Sequence, residues 1–222
     1  MDWQLAWRVA MSLAAAYLLG GIPWALIIGR RFYRVDVRQH GSGNLGATNV
    51  YRTLGARAAA VTFALDMAKG SLAVGVAAQL VPSYAFGTSA HQWVMILTTL
   101  VAMLGHAYSP YVGFRGGKGV ATAAGALLVI TPMALPFLLA TFVVVLVAWR
   151  TVSLGSVALA FEYPLLCLLL YRGDRPIIIF SVIAAAFVLW RHRTNIVRIL
   201  RGEEPRISLS KRGSAAQRKG DC

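Results

Sequence analysis

The sequence predicts an all-α integral membrane protein, and two features of the chain carry this prediction. Of its 222 residues, 58% are hydrophobic and 14% are charged, with a mean hydropathy of +0.63; a soluble domain carries roughly 25% charge. Apolar runs near the roughly 20 residues needed to cross a hydrocarbon core recur along the whole chain. Such continuous runs favour helices over a β-barrel, because a helix satisfies its own backbone hydrogen bonds in lipid.

Six apolar runs are visible, and one of them is too long to be a single transmembrane helix. The runs cover residues 5–28, 58–81, 92–104, 120–149, 152–171 and 176–190. As one helix, the fourth run would be about 45 Å long, against a hydrocarbon core of about 30 Å. Pro132 and Pro136 near its middle predict a turn between two helices. Splitting this run predicts seven transmembrane helices.

The basic residues predict the orientation of these helices. Six arginines lie between the first two runs, and nine lysines and arginines lie between positions 191 and 219. Both segments are expected in the cytoplasm, which requires an odd number of spans. Seven spans then place the N-terminus on the periplasmic or extracellular side and the C-terminus in the cytoplasm. We expect residues 1–203 to form the membrane domain and residues 204–222 to form a disordered basic tail.

The net charge of +14 fits membrane edges and anionic lipid better than nucleic acid, so we expect no nucleic-acid partner. Cys167 lies inside an apolar run and Cys222 is the last residue. This placement indicates neither a disulfide framework nor a metal site. No cofactor is expected, and the sequence predicts no particular oligomeric state.

Residues 40–52, HGSGNLGATNVYR, form the first polar segment beside the apolar runs. Glycines such as Gly41 and Gly43 let backbone N–H groups approach an anion. Arg52 adds a bidentate cationic group that suits phosphate. Neutral donors complete the segment: Ser42, Asn44, Thr48 and Asn49. An ordinary interhelical loop is the alternative, but so many donors in so few residues favour phosphate binding.

Residues 105–122, GHAYSPYVGFRGGKGVAT, form the second polar segment. Its centre is similar to a Walker A loop, but the spacing is one residue short and Gly119 replaces the usual Ser or Thr after Lys118. The missing hydroxyl argues against a nucleoside triphosphatase. A lysine flanked by Gly116, Gly117 and Gly119 at the start of a helix still predicts a phosphate site.

The third segment, residues 190–204, places His192 and Asn195 three residues apart, on one face of a predicted helix. Ser153 and Ser156 open a helix on the same predicted side; a helix N-cap would explain one of them, and phosphate donors are the alternative. Lys69 lies at membrane depth, three residues after Asp66. It is a functional candidate, with a mutual ion pair as the simpler explanation.

Three segments, GSGNLGATNVYR, GH…GFRGGKGVAT and HRTNIVRILRGEE, resemble the three signature motifs of a family of bacterial membrane enzymes. This is the acyl-phosphate:glycerol-3-phosphate acyltransferase family, known as PlsY, and the resemblance covers almost the whole chain. It implies seven helices in the bacterial inner membrane, with the site at the cytoplasmic face. It also implies acyl transfer from acyl phosphate to the 1-hydroxyl of sn-glycerol 3-phosphate, giving lysophosphatidic acid and phosphate for phospholipid biosynthesis.

Within that reaction, we expect Lys118 and the backbone of residues 116–119 to hold one phosphate. Arg52 with Ser42 and Asn44 would hold the other or stabilise a developing oxyanion. His192, positioned by Asn195, is the candidate base, unless a phosphate oxygen of the substrate takes the proton. The alternative function is a transporter or channel for a phosphorylated metabolite. Transporters place their sites near the membrane midplane, whereas these motifs cluster at one face.

Overall fold

The computed structural model describes residues 3–207, and the regular structure in this range is helical, as predicted. A π-helix (Gly29–Tyr33) and two 3₁₀ turns (Val37–Gln39 and Pro110–Val112) lie between longer elements. The α-helices are α1 (Trp3–Gly21), α2 (Trp24–Ile28), α3 (Ala47–Leu54), α4 (Ala56–Leu80), α5 (Ser83–Phe86), α6 (Thr88–Ala107), α7 (Val120–Ile130), α8 (Leu135–Trp149), α9 (Val152–Leu170), α10 (Arg175–Arg191) and α11 (Arg193–Leu200).

Within residues 3–207, four helical stretches are long and apolar enough to cross a membrane: Trp3–Tyr33, Ala56–Leu80, Thr88–Val112 and Val152–Leu170. A fifth candidate is α10 together with α11, which are bent by 65° at their junction. The fold is therefore that of an integral membrane protein with four or five candidate spans. The count of seven stays a prediction, because α7 and α8 have 11 and 15 residues, less than the roughly 20 that a full crossing needs.

The predicted break in the long apolar run is present. Helix α7 ends at Ile130 and α8 begins at Leu135. In the break, the Thr131 hydroxyl lies 3.1 Å from the Tyr163 hydroxyl of α9. The α8 helix then packs along α9, where Thr141 donates to Glu162 Oε1 at 3.0 Å. The two prolines thus separate a helix that packs on α4 from one that packs on α9.

Close helix contacts depend on small residues. A Cβ atom at Gly70 of α4 would lie 2.0 Å from the Thr122 carbonyl oxygen, and one at Gly125 of α7 would lie 1.9 Å from that of Met67. Lipid tails are as apolar as the side chains, so there is little hydrophobic driving force between helices in a membrane. Such helices associate instead through the van der Waals contacts that close backbone approach allows. The tight α4–α7 contact positions the start of α7, which carries the second motif.

The residues after α11 pack on the bundle. The Ile207 N–H donates to the Arg150 carbonyl oxygen at 2.7 Å, and the Glu204 side chain is 4% exposed. Residues 204–207 of the predicted tail therefore contact the helices. Residues 208–222, the remainder of that predicted tail, lie outside the described residues.

Candidate active site

The three motif segments meet at one end of the helix bundle. Lys118, in the loop between α6 and α7, donates a hydrogen bond to Asn195 Oδ1 on α11. Arg52 of α3 donates to the Pro205 carbonyl oxygen at 3.1 Å. These contacts join residues 77 and 153 positions apart in the sequence. The three motifs therefore form one site.

Lys118 is the centre of the charge in this site. Its pKa is lowered from 10.5 to about 8, first by burial and then by the positive charges of Arg198, Arg52 and Arg191. Glu204 opposes this shift. A half-buried lysine surrounded by arginines is short of negative charge, and an anionic ligand would supply it. The electrostatics thus fit a phosphate group beside Lys118.

Gly116 and Gly117 do not present free backbone donors. The Gly116 N–H donates to the Ala107 carbonyl oxygen at 3.0 Å, and the Gly117 N–H donates to that of His106 at 3.1 Å. A Cβ atom at Gly116 would lie 1.9 Å from the His106 carbonyl oxygen. The two glycines allow the loop to pack against the end of α6, and these contacts do not support their predicted role as phosphate donors.

Arg191 holds the other side of this loop. Its Nη2 donates to the Gly117 carbonyl oxygen at 2.7 Å, and its guanidinium lies 5.2 Å from the ring centre of Tyr108 and 5.8 Å from that of Trp190. Cation–π contacts of this kind orient an arginine side chain. Sequence reasoning did not single out Arg191, which stands directly before the predicted histidine.

Free backbone N–H donors lie at the start of α7, directly after Gly119. Gly119 adopts a left-handed conformation (φ +82°), and α7 begins at Val120. The first N–H groups of a helix have no intrahelical acceptor, and the helix dipole favours an anion there. The start of α7, with Lys118 beside it, is therefore the better phosphate-binding element of the second motif.

His192 is held by the backbone. Its ring is 2% exposed, and Nδ1 lies 2.8 Å from the Val188 carbonyl oxygen. A carbonyl can only accept, so Nδ1 carries the proton and the neutral ring keeps its lone pair on Nε2. The ring is oriented by Val188 rather than by Asn195, which corrects the predicted positioning.

Asn195 and Ser153 instead converge on Glu204. The Oε1 atom of Glu204 accepts from Ser153 Oγ at 2.8 Å and from Asn195 Nδ2 at 2.6 Å. Its Oε2 atom accepts from Arg198 Nε at 2.7 Å. Burial raises the pKa of Glu204, but these three hydrogen bonds outweigh burial and lower it overall. Asn195 thus links Lys118 to a buried carboxylate.

Sequence reasoning missed Glu204, because it placed this residue in the tail. The available signal was the carboxylate pair in RGEEP, directly after a cationic helix. A carboxylate that follows clustered arginines at a membrane edge has an ion-pair partner within reach.

The first motif is organised by Asn49, which is 1% exposed. Its Oδ1 accepts from the Ser42 backbone N–H at 2.8 Å and from the Ser42 hydroxyl at 3.2 Å. Its Nδ2 donates to the Val37 carbonyl oxygen at 2.8 Å. Gly41 and Gly43 have positive φ angles of 59° and 67°, which suit glycine. Asn49 therefore supports the loop that carries Ser42.

Other predicted residues lie close to these segments. Asn44 and Thr48 are half-buried and flank the start of α3. Ser156 donates to the Val152 carbonyl oxygen at 3.2 Å, one helical turn back. That bond occupies its hydroxyl hydrogen within α9, so the Ser156 contact does not support a phosphate donor.

The ammonium of Lys69 is bound by groups of the protein itself. It is 3% exposed, and its Nζ lies 2.8 Å from Asp66 Oδ1 and 2.9 Å from the Ile22 carbonyl oxygen. The simpler of the two sequence-based explanations, an ion pair with Asp66, matches this geometry. His106, which sequence reasoning did not single out, lies beside the same carboxylate.

Comparison with known proteins decides the family. A sequence model of the family described as glycerol-3-phosphate acyltransferase matches residues 10–202. The chain belongs to the glycerol-3-phosphate acyltransferase family. This confirms the family inferred from the three motifs. A glycerol-3-phosphate acyltransferase from Geobacillus kaustophilus (strain HTA426) is 40% identical over 198 residues, covering 89% of this chain and 95% of the relative.

Solved structures of the acyltransferase PlsY share the fold. PlsY is described as an integral membrane glycerol 3-phosphate acyltransferase. Its glycerol 3-phosphate form is 34% identical, with a TM-score of 0.80 over 90% of this chain and 96% of that one. Its lysophosphatidic acid form is 32% identical, with a TM-score of 0.77 over 90% and 95%. The helical architecture described above is therefore that of the acyltransferase family.

Proposed function

We propose that this chain transfers an acyl group from acyl phosphate to the 1-hydroxyl of sn-glycerol 3-phosphate in phospholipid biosynthesis. The products are lysophosphatidic acid and inorganic phosphate. The observation that carries the proposal is the contact of Lys118 with Asn195 in a cluster of arginines, which unites two motifs around an anion-binding charge. Family membership supports it, as do the two ligand forms of PlsY, which hold one substrate and one product of this reaction.

The reaction balances without a cofactor. The C1 oxygen of glycerol 3-phosphate attacks the acyl carbonyl carbon, and the bond from that carbon to the phosphate oxygen breaks. Phosphate leaves readily, so an activated protein nucleophile is unnecessary. The hydroxyl proton passes either to His192 Nε2 or to an oxygen of the departing phosphate.

Two phosphate groups need two subsites in this mechanism. Lys118 and the start of α7 hold one of them, supported by the lowered pKa of the lysine and the helix dipole. Arg52 and Ser42 hold the other or stabilise the carbonyl oxygen as it gains negative charge. The Nε of Arg52 is buried without a protein partner in the described residues, which supports a role toward a ligand.

The location of the site is part of the proposal. We place it at the cytoplasmic face of the bacterial inner membrane. The chain would cross this membrane seven times, with its N-terminus on the outer side. The arginines of residues 30–57 and the basic C-terminal region support this orientation. We also propose residues 1–207 as the membrane domain and residues 208–222 as a basic tail.

The orientation is tested by cysteine labelling. A membrane-impermeant maleimide should label Cys222 in inside-out vesicles. Labelling in intact spheroplasts would contradict the orientation.

A transporter for a phosphorylated metabolite is not favoured, because the polar residues gather at one end of the bundle and the chain belongs to an acyltransferase family. The deciding assay mixes purified protein with acyl phosphate and glycerol 3-phosphate and follows phosphate release. Release that requires both substrates supports the enzyme. Phosphate release that does not depend on glycerol 3-phosphate would defeat the proposal, and so would the absence of any phosphate release.

Replacing His192 with alanine tests the proton acceptor. If Nε2 is the base, kcat should fall by about 10²- to 10⁴-fold while KM for glycerol 3-phosphate changes little. The buried ring and its Val188 contact support this expectation. Steady-state kinetics with both substrates provides the measurement. Near-normal kcat with a raised KM for glycerol 3-phosphate would instead assign the proton to a substrate phosphate oxygen.

The pH dependence of substrate binding tests the Lys118 subsite. Because the pKa of Lys118 is about 8, the ammonium is nearly complete at pH 7, half lost at pH 8 and largely lost by about pH 9. Phosphate monoesters are already dianions above about pH 6. KM for the substrate held by Lys118 should therefore rise about twofold between pH 7 and 8 and about tenfold for each further pH unit. The same profile in a Lys118→Arg variant, which keeps its charge at those pH values, would contradict this assignment.

A further inference from the structure

The segment 113–119, which precedes α7 and is called the glycine loop below, packs against a buried group of ionisable side chains. The proposed reaction does not use this group. Asp66 and Lys69 on α4 are 1% and 3% exposed, and His106 near the end of α6 is 6% exposed. Lys69 Nζ lies 2.8 Å from Asp66 Oδ1. His106 Nδ1 lies 3.6 Å from the same oxygen, so the polar edge of the ring faces the carboxylate. Buried charges are costly unless they are paired, so this arrangement constrains its members strongly.

The group also lies where the ends of α1 and α6 meet the middle of α4. Lys69 donates to the carbonyl oxygen of Ile22, just after α1. Ser109, three residues after His106, donates to the Gly21 carbonyl oxygen at 2.6 Å. Two buried hydrogen bonds thus tie the end of α1 to the middle of α4 and to the segment directly after α6.

His106 touches the glycine loop in two ways. Its carbonyl oxygen accepts the Gly117 N–H at 3.1 Å. Its ring packs against Gly117 so closely that a Cβ atom there would lie 2.1 Å from Nε2. Lys118 is the next residue in the chain. Displacing the imidazole would therefore allow the loop, and the ammonium that it carries, to move.

We propose that His106 is a positioning residue for Lys118. The imidazole lies between the Asp66 carboxylate and Gly117, and its ring packs directly against Gly117. Arg191 holds the same glycine through its carbonyl oxygen, so the loop is fixed from two sides. The inference rests on the proposed function only in its kinetic part, because the order of the loop can be measured without any substrate.

The test compares His106→Leu, His106→Gln and a control, His91→Leu. Leucine removes the polar edge that faces Asp66, while glutamine keeps an N–H donor. His91 is also a histidine of α6 and contacts the Val81 carbonyl oxygen. It lies about 22 Å from His106 along the helix, at 1.5 Å for each of 15 residues. It therefore controls for the loss of any histidine from this element.

Two readouts separate positioning from general damage. Hydrogen–deuterium exchange at residues 113–121 should be faster in His106→Leu, nearer to normal in His106→Gln, and unchanged in His91→Leu. KM should rise by about tenfold in His106→Leu, and for the same substrate as in Lys118→Met, since small displacements at a site cost this much or more. The kcat value should change much less than KM.

The outcomes are distinguishable. Unchanged exchange and unchanged KM in His106→Leu would overturn the proposal, as would a rise in KM for both substrates together with a fall in Tm. If the unmodified protein shows no acyl transfer, the proposed function fails. The exchange comparison would still decide the positioning role of His106.

Discussion

A Lys118→Met variant is expected to lose about 10²- to 10³-fold in kcat/KM, the cost of removing one preorganised electrostatic group from an active site. The ammonium lies among three arginine charges and beside Asn195. Without it, a phosphate bound at the start of α7 would keep the helix dipole but lose the neighbouring ammonium. Initial rates of phosphate release, measured against each substrate in turn, give the change.

Methionine is the appropriate replacement because it keeps the unbranched shape and most of the length of the side chain without its charge. Burial lowers the pKa of Lys118, which means that the charged ammonium lowers the free energy of unfolding. Removing that charge should not reduce thermal stability. A Lys118→Arg variant serves as the matched control for charge. Full activity of Lys118→Met would show that the phosphate binds elsewhere, and a large fall in its Tm would assign Lys118 a structural role.

A Glu204→Gln variant is expected to be destabilised by about 3 kcal/mol, because a buried carboxylate that accepts three hydrogen bonds loses its charge. The carboxylate accepts hydrogen bonds from Ser153, Asn195 and Arg198. In glutamine, one oxygen becomes an NH₂ group, which cannot accept from Arg198 while the other oxygen accepts from Ser153 and Asn195. The Arg198 side chain is 41% exposed, so water screens part of the loss and sets this intermediate magnitude.

The adjacent Glu203→Gln variant is the control, since Glu203 is exposed and carries the same chemical change. Thermal unfolding in detergent should separate the two variants clearly. The pH dependence follows from the lowered pKa of Glu204. Its stabilisation is complete above the unfolded pKa of about 4.5 and is lost as the pH falls through the folded value. Equal Tm values for the two variants would refute the structural role of Glu204.

Much of the site could be predicted because its residues lie in compact segments. Ser42, Asn49 and Arg52 fall within eleven consecutive residues, and Lys118 stands among glycines. Polar residues and glycines so close to apolar runs are uncommon, and this local pattern is enough to indicate phosphate chemistry. The prolines at 132 and 136 likewise predicted the break between α7 and α8, because proline removes a helical hydrogen bond.

The partners of these residues could not be predicted. Asn195 was expected to orient His192, but it contacts Lys118 and Glu204. Gly116 was expected to donate to phosphate, but its N–H is bonded to Ala107. Each of these contacts depends on the angle at which two chain segments meet. Spacing along one segment contains no information on that angle.

By itself, the sequence determined the helical membrane class, the family and the three segments that carry the chemistry. These follow from composition, the length of apolar runs and local patterns, which act within a few turns of a helix. The tertiary structure decided which donors are free, that Glu204 belongs to the site, and that His106 supports the glycine loop. Burial and hydrogen-bond partners are shared between residues that are distant in the chain, so they exist only once the helices have packed.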